Sequence, residues 1–337
     1  MKIAICDRQG SFSSRWIEYC KNHGIDYKIV DVYASDIIEQ VKDCDAFMWH
    51  HHHADYRDVL FAKQLIYSLE NSGIKCFPNS KTTWHFDDKV GQKYLLEAVG
   101  APLAPSYVFY TKEDVVNWIN KTSFPKVFKL RGGAGAANVK LVRTANDAKK
   151  LVNQAFGKGF PQFDRFSYFK DRFKRWRSGK ETFKGILKGV FRLFIPPVFA
   201  RMHAPEKGYA YFQDFIPNNE FDIRVCVVGE KAFALKRMCR SNDFRASGSG
   251  NIIYDKKQID ERCVKIAFDV NQKLNCQSIA YDFVFDEKNE PKIIEISYGY
   301  THEAYDICEG YWDKDLNWIP GQHFDFCGWM VENLIKE

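Results

Sequence analysis

The sequence predicts an α/β protein built from more than one unit, and three observations carry that prediction. Strands and helices alternate through residues 1–80. Near the C-terminal end, two runs around a turn alternate apolar and polar residues with period two. Between these regions, a glycine-rich connection joins two short strands. At 337 residues the chain can bury a large core and divide into two or three domains.

Composition narrows the class. Aromatic residues make up 16% of the chain, which fits a globular protein and not a disordered one. The ten cysteines are scattered singly, with no C-x-x-C pair. That pattern reads as reduced thiols in a cytosolic protein and excludes a disulfide frame or zinc site. The apolar run before Asp7 is too short for a signal peptide, and no run of about 20 apolar residues predicts a membrane span. The net charge of +6 is concentrated: residues 157–207 hold 13 Lys and Arg against 4 Asp and Glu, so the remainder is slightly acidic.

Taken in order, residues 3–6, 27–30, 46–49 and 74–77 read as strands, with helices at 13–21, 37–41 and 59–71. This order predicts a small parallel sheet with helices on both faces, whose ligands bind outside the carboxyl ends of the strands. Two loops lie there, 7–11 and 49–54. The second holds His50, His51, His52 and His53. They form either a polar surface loop or a loop from which one or two imidazoles touch a substrate. A helix at 90–99 follows, and Pro102 and Pro105 hold an extended linker after it. Lys89 in the first turn of that helix is a mild anomaly, because a helix N-terminus disfavours cations; a nearby anion would relieve it.

Residues 126–130 and 138–142 read as two strands joined by Gly132-Gly133-Ala134-Gly135-Ala136-Ala137. Such a hairpin lets backbone N–H groups approach a phosphate, with Lys129 as the charge. It is neither a Walker loop nor a dinucleotide fingerprint. An amphipathic helix at 144–156 leads into the basic segment. There Phe163, Phe166, Phe169, Phe173 and Trp176 recur at helical spacing among Arg and Lys, and a second stretch at 183–194 mixes aliphatic and basic residues until Pro196-Pro197. That is the pattern of a helix lying on an anionic membrane or gripping an acidic polymer. An insertion that packs its aromatics on its own domain reads the same way. Strands at 209–216, 221–228 and 232–237 follow, then a glycine- and serine-rich loop at 244–251 and a helix at 260–274.

Near the C-terminal end stands the hairpin 278–297. In its first strand Ile279, Tyr281, Phe283 and Phe285 share a face and Asp282 takes the other. In its second, Ile294 and Ile296 share a face, and Ile293, Glu295 and Ser297 take the opposite one. If Phe285 and Lys292 close the turn as a pair, Asp282 stands opposite Glu295. Like charges directly opposed are destabilising, so the pair reads as two carboxylates facing a cleft that either share a proton or hold a cation. Oxygen ligands few in number suit magnesium, which keeps waters and substrate phosphates. The alternative is two solvated acids on an exposed face.

These pieces, in this order, resemble the ATP-grasp superfamily, nearest the D-alanine–D-alanine ligases, glutathione synthetases and ribosomal-protein glutamate ligases. The resemblance covers about residues 1–156 and 208–300. It implies an ATP-grasp fold behind a small α/β domain, with units at 1–85, 86–156, 157–207 and 208–337. ATP and Mg2+ are the implied cofactors. Lys89, Lys129 and the lid Gly132, Gly133 and Gly135 would contact phosphates. Gln213, Asp214 and Ile216 would bind adenine, and Glu220 the ribose. Arg237 and Arg245 would stabilise the transferred phosphoryl group, and Asp282 and Glu295 would ligate magnesium. Ser297 stands where the family usually has asparagine, and the basic insertion is a second departure.

The implied reaction joins a carboxylate to an amine through an acylphosphate. Its expected partners are a small-molecule or glycan-linked carboxylate, such as a uronic acid of a cell-surface polysaccharide precursor, and an amine. No nucleic acid is expected, and the family's habits allow a homo-oligomer. The expected location is the cytoplasm, with residues 157–207 touching the inner membrane face. A soluble amino-acid or peptide ligase and a nucleotide-binding protein without turnover are the competing readings.

Overall fold

The structure is a computed structural model that describes residues 1–132, 138–163, 165–177, 179, 182–240, 244–246, 248 and 250–336. The first unit runs β1 (Lys2–Ile5), α1 (Ser13–Asn22), β2 (Asp26–Ile29), α2 (Ile37–Val41), β3 (Ala46–Met48), α3 (Tyr56–Asn71) and β4 (Lys75–Phe77). Its strands form a parallel sheet in the order β2-β1-β3-β4. Period two sorts its side chains. Ile3 and Ile5 enter one core with Phe12 and Trp16 of the α1 region, while Ala4 and Phe47 enter another with α2 and α3. Both faces are covered, as parallel sheets require.

Two short helices follow, α4 (Ser80–Thr83) and α5 (Lys89–Ala98). The next unit is β5 (Ser106–Phe109), α6 (Lys112–Ile119), β6 (Lys126–Lys129), β7 (Val139–Val142) and α7 (Ala145–Ala155). The sequence reading left β5 and α6 unassigned, although Thr111 caps α6 by accepting from Asp114 N–H. The basic segment forms α8 (Arg165–Arg177), α9 (Phe183–Phe194) and α10 (Val198–Met202). β8 (Ala210–Asp214) then returns between β5 and β6, giving an antiparallel sheet ordered β5-β8-β6-β7. α6 and α7 cover it with a core of its own around Phe128, Phe212 and Val152.

The largest sheet uses β9 (Phe221–Val228), β10 (Lys231–Met238), β11 (Ile252–Ile253), β12 (Ser278–Phe285), β13 (Pro291–Ser297), β14 (Gly310–Asp313) and β15 (Trp318–Pro320), in the order β13-β12-β9-β10-β14-β15 with β11 beside β10. One face packs on α11 (Glu261–Leu274) through Ile223, Val225, Tyr281 and Phe283. The other face, through Cys226, Phe233 and Ala280, shares the Ile3–Phe12–Trp16 core together with α12 (Phe326–Lys336).

The closing hairpin corrects the expected register. Phe285 pairs with Pro291 and not Lys292, yet Asp282 still pairs with Glu295. A bulge at Ile294 absorbs the difference, placing two residues opposite one. Ile293 and Ile296 therefore both reach the core, against the expected division of that strand, and Ile294 is left outside it. No disulfide joins the cysteines. Among the described residues no helix is long and apolar enough to cross a membrane.

Candidate active site

A cleft opens between the β5-β8-β6-β7 sheet and the β13-β12-β9-β10 part of the large sheet. Val127, Val139, Ile216, Phe221 and Val284 form apolar walls, and Lys129, Asp222, Arg237, Asp282 and Glu295 bring charge. The geometry follows from strand register. Asp282 on β12 stands between Glu295 on β13 and Arg224 on β9, and Asp222 stands opposite Arg237 on β10. All point from the same side of the sheet, because residues two apart share a face.

Lys89, Lys129, Asp222, Arg237 and Asp282 are buried, Glu295 is half-buried, and all three carboxylates are paired. Arg224 donates from Nε and Nη2 to the two oxygens of Asp282 at 2.6 and 2.7 Å. Arg237 grips Asp222 in the same forked way at 2.7 and 2.6 Å and lies 2.9 Å from Asp282 Oδ2. Burial pushes the Asp282 carboxyl up, but the two guanidinium groups outweigh it and hold it well below the usual carboxylate range. Lys89 Nζ sits 3.1 Å from Glu295 Oε1, so the anion sought by that unfavourable first-turn lysine is Glu295. Burial works against both charges; each nonetheless stabilises the other's ionised form, raising Lys89 and lowering Glu295. Lys129 donates to the carbonyl of the bulged Ile294 at 3.0 Å. Its burial dominates and lowers it to about 8 despite Glu295.

The segment after β8 forms the third wall. Gln213 Nε2 donates to Ser106 Oγ at 3.1 Å, and the Asp214 carboxylate accepts from Lys126 at 2.6 Å. Gln213, Asp214 and Ile216 line the cleft, whereas Glu220 is exposed outside that lining. Asn219 fixes the segment to β12. It accepts from Phe285 N–H at 2.8 Å and donates to Phe285 O at 2.9 Å. Arg245 also lines the cleft, beside the Phe244 ring. Ser297 pairs with Ala280, and its hydroxyl accepts from Gly299 N–H at 3.2 Å.

At the glycine-rich connection, Gly132 N–H and Arg131 N–H donate to Glu206 at 3.3 and 3.1 Å. Gly133 and Gly135 lie outside the described residues. In the histidine loop, His50 stacks on Phe12 with centroids 3.9 Å apart, and His51 is buried beside Tyr298, whose hydroxyl donates to the His51 carbonyl at 2.7 Å. Burial holds both imidazoles neutral, so these two are core residues. His53 is half-buried near Lys89 and Glu295; burial first, with His52 and Lys89 adding to it, lowers it to about 4.

Magnesium needs only one or two carboxylates besides waters and phosphates. Among the described residues no group of three or more His, Cys, Asp or Glu is gathered as a metal site. Glu295 and Asp282 supply hard oxygen donors side by side, and Asp282 would exchange guanidinium contacts for the ion. The sequence reading missed Arg224, Asp222, Asn219 and Glu206. Asp222 and Arg224 were visible as two charges with period two in an otherwise apolar strand.

With this geometry in place, the class of protein follows. The chain has the ATP-grasp fold. It superposes on a RimK-domain ATP-grasp protein from Sphaerobacter thermophilus with a TM-score of 0.59, at 14% identity over 99% of this chain and 100% of that one. The ATP complex of D-alanine–D-alanine ligase from Bacillus anthracis superposes with a TM-score of 0.59, at 13% identity over 100% and 97% of the chains. The MgADP- and bicarbonate-bound biotin carboxylase domain of the Hydrogenobacter thermophilus 2-oxoglutarate carboxylase gives 0.59 at 13% identity, covering 100% and 70%. Within the chain, residues 202–306 match the RimK-like ATP-grasp domain, the segment that holds the post-β8 wall, the arginine strands and both carboxylates. A search of curated protein sequences finds no match.

Proposed function

We propose that this protein is an ATP-dependent carboxylate–amine ligase. The observation that carries the reading is the convergence of Lys89, Lys129, Arg237, Asp282 and Glu295 on one cleft beside the Gln213–Ile216 wall. Gln213, Asp214 and Ile216 bind adenine, and Glu220 serves the ribose once the nucleotide is seated. Lys89, Lys129 and the Gly132–Gly135 lid hold the phosphates. A magnesium ion held by Glu295 and Asp282, with Ser297 nearby, supplies charge neutralisation when bound.

The substrate carboxylate oxygen attacks the γ-phosphorus of ATP, breaking the bond to ADP and forming an acylphosphate. The amine nitrogen then attacks the acyl carbon, phosphate leaves, and the amine loses a proton. Such a transfer depends on positioning and charge more than on covalent help from the protein. Arg237 and Arg245 neutralise the moving phosphoryl group. The neutral His53 beside Lys89 and Glu295 contacts the acceptor.

For the carboxylate we propose a uronic acid or similar acid of a cell-surface polysaccharide precursor, used at the inner membrane face. The basic, aromatic insertion supports this choice. The second reading, a nucleotide binder without turnover, is favoured by the full commitment of Asp282 to Arg224 and Arg237. The test is ADP release from magnesium-ATP with hydroxylamine and a panel of amino acids, peptides, uronic acids and nucleotide-linked uronic acids. Release tied to one acid, with hydroxamate formed, supports the ligase. Tight ATP binding with no release from any acid, even with membrane extract added, supports the second reading.

A further inference from the structure

A surface helix ordinarily turns its apolar stripe inward. The α9 helix does the reverse. It meets α8 through glycine: Gly185 and Gly189 are its buried residues, and a Cβ at Gly189 would stand 3.3 Å from the Phe169 ring. Arg172 of α8 completes the junction, donating to Gly185 O at 3.4 Å and to Tyr168 Oη at 2.7 Å. Ile186 and Leu193 of α9 are half-buried, and its other large apolar residues are left exposed.

Those residues are Phe183, Leu187, Val190, Phe191 and Phe194, at the spacing of a single helical stripe. All are exposed, Phe183 by 63% and Phe194 by 76%. Ile195, Val198 and Met202 after α9 are exposed too, as are Phe173 and Trp176 of α8. Lys184, Lys188 and Arg192 recur along one flank of the stripe, and no Asp or Glu occurs between Thr182 and Pro205. An exposed apolar area of this extent marks an interaction surface.

We propose that the α8–α9 hairpin seats on an anionic bilayer. The α9 stripe lies among the acyl chains, and Lys184, Lys188 and Arg192 meet lipid phosphates. Charge selects this occupant. A second copy of the chain docked on the same face would bring the basic flank of α9 against itself, which like-charge juxtaposition opposes. An anionic lipid surface satisfies both the stripe and its flank. The arm leaving the hairpin ends at Glu206, which holds the Arg131 and Gly132 N–H groups and so ties the hairpin's exit to the edge of the cleft. Delivery of a membrane-carried acid rests on the ligase reading; the seating does not.

The test is sedimentation of the full-length protein with phosphatidylcholine vesicles, with and without phosphatidylglycerol. Expected is binding to the anionic vesicles that weakens with added salt. Phe191→Ser with Phe194→Ser should abolish it, and each of Lys184→Gln and Lys188→Gln should lower partitioning about fivefold. Both serine positions are exposed, so ATP affinity measured on the same preparation should not change. Three results overturn the proposal: no binding to anionic vesicles, equal binding by the serine variant, or a wild-type dimer that the serine variant converts to monomer without any lipid binding. Vesicle binding with no ADP release from any acid would sink the ligase reading and leave the seating in place.

Discussion

The floor of the cleft and the α8–α9 hairpin both hold side chains in unusual places, and they resolve the problem in opposite ways. In the floor, charges are buried, and each is answered inside the chain: Asp282 by Arg224 and Arg237, Asp222 by Arg237, Glu295 by Lys89. In the hairpin, apolar groups are exposed, and the helix that could have covered them meets glycine instead. Burial of unpaired charge is costly enough to unfold a domain, so a charged floor must be completed by its own fold. Exposed apolar surface is tolerable in a soluble state and can wait for a partner. One region is therefore an internal device and the other an external one.

Removing a floor charge should break this contrast most strongly. Asp282→Asn leaves the Arg224 guanidinium without its carboxylate, while Arg237 keeps Asp222, which costs about 3–5 kcal/mol. We expect a lower urea midpoint together with loss of ADP release by at least about a hundredfold. A variant that melts like the parent would show that the floor is not held by its charges.

Lys129 sharpens the contrast through pH. Its pKa is already lowered to about 8, and only the protonated form attracts phosphate. The neutral amine takes over as pH rises through 8, so ATP affinity should fall about tenfold from pH 7 to pH 9. Binding near pH 8 should also take up a proton. Calorimetric titration in two buffers of different ionisation enthalpy measures both, and Lys129→Arg should flatten the profile.

Asn219→Ala removes the two bonds to Phe285. It should cost about 1–2 kcal/mol of stability and weaken ATP binding several-fold by releasing the Ile216 wall. The smallest effect belongs to the hairpin. Phe191→Ser with Phe194→Ser should change stability by no more than about 0.5 kcal/mol per site, read as thermal midpoint. A large loss would mean that the stripe is covered by the protein itself.

Much of this arrangement was legible in the sequence, and the exceptions share a cause. Period two alone put Asp282 and Glu295 on the cleft side, and the misplaced charge of Lys89 called for a nearby anion without saying which. The bulge at Ile294 left no mark in composition, so the closing pair was misread although the carboxylates were placed correctly. Arg224 escaped because its role depends on β12 lying beside β9, and sheet order is set by long-range packing that no local pattern encodes. In the hairpin, the basic and aromatic periodicity was plain. That Gly185 and Gly189 form the joint depends on which helix faces which, and this emerged only in three dimensions.

The division of cores carries one more consequence. The parallel sheet and the large sheet share the core of Ile3, Phe12, Trp16, Phe233 and Trp329, so these two bodies should exchange their amide hydrogens as a single cooperative unit. The β5-β8-β6-β7 sheet keeps a separate core around Phe128 and Phe212. It should therefore exchange as a second unit, joined to the large sheet by the short stretch after Asp214 that Asn219 fixes to β12.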